Sequence, residues 1–157
     1  KHYYENGSFD HFPHAEGITN ESLLELPCDV LVPAAMSNQI TKENAGRIRA
    51  KLIVEGANGP ITMEADQQLA ERRISVVPDI LANAGGVIVS YFEWVQDLQQ
   101  LFWEEEEVMR REYAILDRAF DHMVQRARAD NIPHRTAAMA IGVEKVRAAK
   151  NTRGLFP

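Results

Sequence analysis

The chain has 157 residues and a net charge of -6, with 45% hydrophobic and 25% charged residues. That size fits one domain, and that balance excludes a disordered polyelectrolyte. A pI near 5.4 without a clustered basic face points away from nucleic acid, and no apolar run nears the roughly 20 residues of a membrane span.

Taken in chain order, the first 22 residues are polar and weakly patterned. The opening Lys1-His2-Tyr3-Tyr4-Glu5-Asn6 has no apolar core of a secretory signal. The single cysteine, Cys28, cannot close an intrachain disulfide or build a zinc site alone. A reducing, cytoplasmic setting is the expectation.

Asp29–Pro33, Lys51–Val54 and Ile74–Pro78 are short β-branched runs. Near-continuous apolar strands of this kind predict a parallel sheet buried on both faces. Helices fit between them. Thr41 reads as the cap of a helix over Lys42–Arg49. Thr62 reads as the cap of another over Met63–Arg73, with Glu64 and Asp66 in its first turn and Arg72 and Arg73 in its last. Strand and helix alternate as in an open α/β sheet.

The C-terminal half is helical. From Trp103 to Ala129, apolar residues including Leu116, Phe120 and Met123 recur on one stripe. Glu104–Glu107 occupy its N-terminal end, where the helix dipole favours acids, and a solvated first turn outweighs a metal site as the reading. Asn131 and Pro133 end it. A last helix spans about Arg135 to Lys150, with Gly142 inside, and Arg153–Pro157 is a tail.

Ligands of open parallel sheets bind outside the carboxyl ends of the strands. All three runs lead there into loops of Asn, Ser, Gly and Ala: Ala34–Asn38, Glu55–Pro60 and Asp79–Gly86. Small residues allow close backbone approach, and neutral amides suit a sugar, an amide or a nicotinamide ring better than a metal. Each loop has a plainer explanation, Asn58-Gly59 as a turn and Gly85-Gly86 as a tightly packed helix start. The five histidines read as surface residues and Cys28 as a packed thiol. No P-loop, Gly-x-Ser-x-Gly elbow or Gly-x-Gly-x-x-Gly turn is present. The strands therefore look like the second half of a doubly wound (Rossmann-like) parallel sheet followed by a C-terminal helical segment.

Three strings carry a resemblance. They are Val54-Glu55-Gly56-Ala57-Asn58-Gly59-Pro60, the run Val77–Val87 continuing into Ser90-Tyr91-Phe92-Glu93-Trp94, and Pro33-Ala34-Ala35 followed by Asn38-Gln39-Ile40-Thr41. Together they strongly resemble the C-terminal part of the cofactor domain of glutamate dehydrogenases, within the glutamate/leucine/phenylalanine/valine dehydrogenase family. The match runs from the Gly7-Ser8 region to Arg153-Gly154.

The resemblance implies an oxidoreductase that deaminates L-glutamate to 2-oxoglutarate and ammonia with NAD or NADP, hydride passing from Cα to the nicotinamide. It implies a homo-oligomer, hexameric in the full-length enzyme. Residues 1–100 would be a partial NAD(P)-binding domain, and 101–157 its C-terminal helices returning toward a substrate domain. The family's catalytic lysine and aspartate match nothing here, so the chain alone is expected to be inactive. Lys51 opens a strand at the wrong edge, and Asp79 matches a structural position. By resemblance Ala35, Asn38, Asn58 and Asn83 are cofactor-binding, while Val87 and Ser90 meet the substrate, Ser90 at its γ-carboxylate. A fragment of such an enzyme is the favoured reading. A non-catalytic nucleotide-binding or interaction module reusing the half-fold is the alternative.

Overall fold

The computed structural model describes residues 1–154. Two short helices, α1 (His2–Asn6) and α2 (Asn20–Leu24), precede the sheet. Strands β1 (Val30–Leu31), β2 (Leu52–Val54) and β3 (Ser75–Val77) are parallel, in the order β1-β2-β3. Leu31 pairs with Ile53, and Ile53 with Val76. Each strand lies within the β-branched run that predicts it, and the α/β class is as expected.

Parallel neighbours require a crossover. Between β2 and β3 it is α3 (Met63–Glu71), where the Thr62 side chain accepts from Ala65 N at 3.3 Å. The basic last turn expected of this helix falls just beyond it, with Arg72 at the C-cap and Arg73 left-handed (φ 60). Between β1 and β2 the helix expected over Lys42–Arg49 shrinks to a 3-10 turn, Ala45–Arg47. Local and tertiary bonds compete with it. The Asn44 side chain accepts from Thr41 N (2.8 Å) and donates to the Gln39 carbonyl (2.9 Å). The Arg72 guanidinium donates to the carbonyls of Ala45 and Ile48. Acceptors that would continue the helix are thereby taken.

Beyond β3 the chain is helical: α4 (Asp79–Ala82), α5 (Gly85–Gln99), α6 (Glu105–Asp130) and α7 (His134–Arg153). The segment 79–82, read as loop, is a helical turn. Glu104 holds the N-cap position of α6 without a side-chain capping bond, and Asn131 ends the helix in the left-handed conformation (φ 53), as an asparagine there can. Of the tail expected over Arg153–Pro157, Arg153 closes α7 and Gly154 is its C-cap; Leu155, Phe156 and Pro157 lie outside the described residues.

Two apolar clusters result. One packs Ile40, Ile48, Ile53, Ala65 and Leu69 between the sheet, α3 and the 3-10 turn, with Cys28 against it. The other joins α6 and α7 through Met123, Ala127 and Ala137, with Leu81 of α4. The sheet is not buried on both faces as its composition implies. Ile53 is fully buried, but Val30 is 49% and Val32 53% exposed. On β1, Leu31 packs against the first cluster, while Val30 and Val32 on either side of it stay half exposed. His134 also departs from the surface reading: it is half-buried, its Nδ1 3.1 Å from the Val76 carbonyl.

The α6 stripe is broader than the strip that α7 covers, so Met123 is 1% and Phe120 42% exposed. Met123→Ala should cost about 2–5 kcal/mol of unfolding free energy in denaturant titrations, and Phe120→Ala less than about 1 kcal/mol.

Candidate functional site

The site is the carboxyl edge of the sheet. Parallel strands deliver their following loops to one side, and backbone bonds draw the first two loops together. Ala57 N donates to the Pro33 carbonyl (2.9 Å), Asn38 N to the Gly59 carbonyl (2.8 Å), and Ile40 N to the Pro60 carbonyl (2.9 Å). The first two loops touch closely enough to dictate a residue. A Cβ on Gly56 would lie 2.9 Å from the Ala34 Cβ and 3.3 Å from its Cα. Asn38 is left-handed (φ 54) and Gly59 likewise (φ 57), so both hold turn positions.

The second and third loops meet through side chains. Asn83 Nδ2 donates to Asn58 Oδ1 at 2.7 Å and approaches the Gly56 carbonyl at 3.4 Å. Asn58 is exposed, with its amide nitrogen left to donate outward. Asn38 joins this pair only through its backbone bond to Gly59. Ala35 is exposed on the first loop and bonds to neither of the others among the described residues. Val87 (74% exposed) and Ser90 stand one turn apart on α5, both open to solvent. Among the described residues Ser90 Oγ makes no hydrogen bond back to its own helix, unlike Thr152, which bonds to the Ala148 carbonyl. The six candidates thus form an Asn58–Asn83 centre, a neighbouring Ala35–Asn38 loop, and a separate pair on α5.

Beneath this edge lies a charged cluster that carries no signature in spacing. Glu55, directly after β2, is 0% exposed. Its Oε2 accepts from Asp79 N (2.7 Å) and its Oε1 from Arg135 Nη2 (2.7 Å). Arg135 also reaches Asp66 of α3 (3.2 Å) and Asp79 (3.4 Å). Asp79 Oδ2 in turn accepts from Gly59 N (2.8 Å). Burial opposes the charge on Arg135, yet the bonds from Glu55 and Asp66 outweigh it and hold the guanidinium above its ordinary pKa. One sequence signal marks it. Arg135 and His134 open α7 with no acid in its first turn, although a helix N-terminus disfavours cations. Lys51, by contrast, pairs with Asp29 at the opposite, exposed edge (2.6 Å).

Among the described residues no grouping of His, Cys, Asp and Glu could hold a metal ion, and no helix is long and apolar enough to cross a membrane. A parallel sheet whose carboxyl edge gathers amides, glycines and a solvent-open helix face is part of a doubly wound, Rossmann-like fold, whose ligands bind at that edge.

The comparisons sharpen that class. A family model described as Glutamate/Leucine/Phenylalanine/Valine dehydrogenase matches residues 1–154. Glutamate dehydrogenase of Thermotoga maritima is 50% identical over 153 residues, which cover 98% of this chain and 37% of that protein. A cryptic catabolic NAD-specific glutamate dehydrogenase of Bacillus subtilis is 52% identical over 137 residues, 87% of this chain and 32% of that protein. Among solved structures, the hetero-hexameric glutamate dehydrogenase of Thermus thermophilus, in a leucine-bound form, superposes with a TM-score of 0.89 at 33% identity. That match covers 99% of this chain and 36% of the other. The chain belongs to the glutamate/leucine/phenylalanine/valine dehydrogenase family, and it spans about a third of the length of these relatives.

Gly56→Ala should push the Ala34 backbone away and cost about 1–3 kcal/mol of stability, as overpacking does. Thermal melts should show Ala34→Gly recovering part of that loss when the two changes are combined.

Proposed function

We propose that this chain is the nicotinamide-side part of an NAD(P)-dependent enzyme that oxidatively deaminates L-glutamate to 2-oxoglutarate and ammonia. The observation that carries the reading is the Asn58–Asn83 pair, bonded at 2.7 Å at the carboxyl edge, with the Asn58 amide facing outward. The residues present fit a nicotinamide nucleotide: two amides supply donor and acceptor, and Gly56 lets the loops close without side-chain bulk. Asn58 and Asn83 would hold the nicotinamide and its ribose, with Ala35 and Asn38 beside them. When bound, the cofactor supplies a hydride acceptor. NAD is favoured over NADP, because the Bacillus subtilis and Staphylococcus aureus relatives are NAD-specific.

On α5, Val87 and Ser90 share a face one turn apart. Val87 would pack on the substrate methylenes, and the Ser90 hydroxyl, free of its own helix, would donate to the γ-carboxylate. The C-terminal helices from 101 onward would return toward a substrate domain that supplies the proton-transfer groups. The 157 residues alone would then be inactive, since hydride transfer needs donor and acceptor held at roughly 3–3.5 Å. A hexameric, cytoplasmic enzyme is the assembly and setting proposed, the first by analogy with the hetero-hexameric Thermus thermophilus relative.

In the full-length enzyme, Asn58→Ala should raise the cofactor KM by a factor corresponding to roughly 1–3 kcal/mol, the cost of an unpaired buried polar group. An unchanged cofactor KM would reduce Asn58 to a turn former. Ser90→Ala should lower kcat/KM for glutamate by roughly 10- to 150-fold and affect norvaline, which lacks the γ-carboxylate, far less. Equal losses on both substrates would assign Ser90 a structural part instead.

A further inference from the structure

We propose that Arg135 is a positioning residue for the nicotinamide-side loop, acting through Glu55 and Asp79 on the place where Asn58 and Asn83 stand. The proposal rests on the reading of Asn58 and Asn83 as cofactor contacts. Arg135 touches neither asparagine; it lies on α7, beneath the edge they form. From it, however, an unbroken set of bonds reaches them. Arg135 Nη2 donates to Glu55 Oε1 (2.7 Å), Glu55 Oε2 accepts from Asp79 N (2.7 Å), and Asp79 Oδ2 accepts from Gly59 N (2.8 Å). Gly59 directly follows Asn58. Asp79 O also accepts from Asn83 N at 3.1 Å. Both asparagines are therefore fixed, on either side, to Asp79.

The charges make this arrangement conditional on the cation. Glu55, Asp66 and Asp79 crowd one guanidinium whose side chain is 27% exposed. The planar fork addresses all three carboxylates at once, Nη2 to Glu55, Nε to Asp66 and Nη1 to Asp79. A lysine ammonium is a point charge and does not reproduce that fork. Without the cation, the fully buried Glu55 carboxylate faces two like charges and no counterion. It loses the bond that holds its Oε1 and is driven from its place. That change removes the acceptor for Asp79 N and shifts the start of α4, with Gly59 and Asn58 attached. A displacement of about 1 Å in a binding constellation can cost about a hundredfold in function.

Asp66 separates this role from plain stabilisation. It binds Arg135 from α3 and has no bond to the 55–60 loop. In the full-length protein, NADH affinity is measured by nucleotide fluorescence, and backbone exchange over 55–60 by hydrogen–deuterium mass spectrometry. Arg135→Gln should weaken NADH binding about 10- to 100-fold and speed exchange over 55–60, with Arg135→Lys between it and wild type. Asp66→Asn should lower the Tm while leaving NADH affinity within about twofold, because the Glu55 and Asp79 bonds survive. Should Arg135→Gln not fold, Asp79→Ala removes the acceptor for Gly59 N and leaves Arg135 paired with Glu55 and Asp66. It should weaken NADH binding and speed the same exchange. Wild-type affinity and exchange in Arg135→Gln, or in Asp79→Ala if that is the variant that folds, would overturn the positioning role. So would equal affinity losses in Arg135→Gln and Asp66→Asn. Asn58→Ala serves as the reference: unaltered affinity there, with faster loop exchange in Arg135→Gln, would sink the cofactor reading and leave the positioning of the loop standing.

Discussion

A carboxylate with no access to water sits at the end of the central strand, and its charge has to be met from inside the protein. Glu55 is wholly buried, and its partners come from different elements, Arg135 on α7 and the first amide of α4. Stripping water from such a group costs several kcal/mol unless it is paired and hydrogen-bonded. No buried side-chain polar atom among the described residues lacks a partner. Satisfying Glu55 thus draws α7, α4 and the sheet into one fixed relation, and the ligand edge inherits it. A pair of apolar residues of equal volume could hold α7 as firmly. It could not also supply the Asp79 amide with an acceptor.

Much of this was legible in the sequence, for identifiable reasons. Three β-branched runs marked the strands because the sheet interior selects Val and Ile. Thr62 and its following acids marked α3, and the Glu104–Glu107 run marked the start of α6, because orphan backbone amides and the dipole select those residues. The Asn-rich and Gly-rich loops were placed at the carboxyl edge of the sheet by topology alone, and they lie there. What was not legible depends on distant partners. Lys42–Arg49 has a helical pattern, yet Arg72 takes its carbonyls. Val30 and Val32 have core composition, yet each is about half exposed among the described residues. Glu55 stood inside a recognised string without a role, since its partner lies 80 residues away. Arg135 breaks the charge rule for helix starts, and that breach was the one local sign of the network.

The two apolar clusters divide the work of holding the site. The cluster around Ile53 fixes the strands and so the bases of the loops. The Met123–Ala137 cluster fixes the α6–α7 pair, and through it the position from which Arg135 reaches inward. His134, bonded to the Val76 carbonyl, ties α7 to β3 beside the guanidinium. The side chains of the carboxyl edge, Asn58 among them, can then stay exposed, because the strands and α7 are held from below.

The 80-residue separation between Glu55 and Arg135 also bears on the order in which the chain can assemble. Residues 24 to 76 bring together the first cluster from neighbouring segments, so it can close through short loops. The contact between Glu55 and Arg135 instead closes a loop of 80 residues, and loop closure costs more entropy as the loop lengthens. The cluster beneath the carboxyl edge is in this sense the least local part of the fold, held by residues that the chain supplies 80 positions apart.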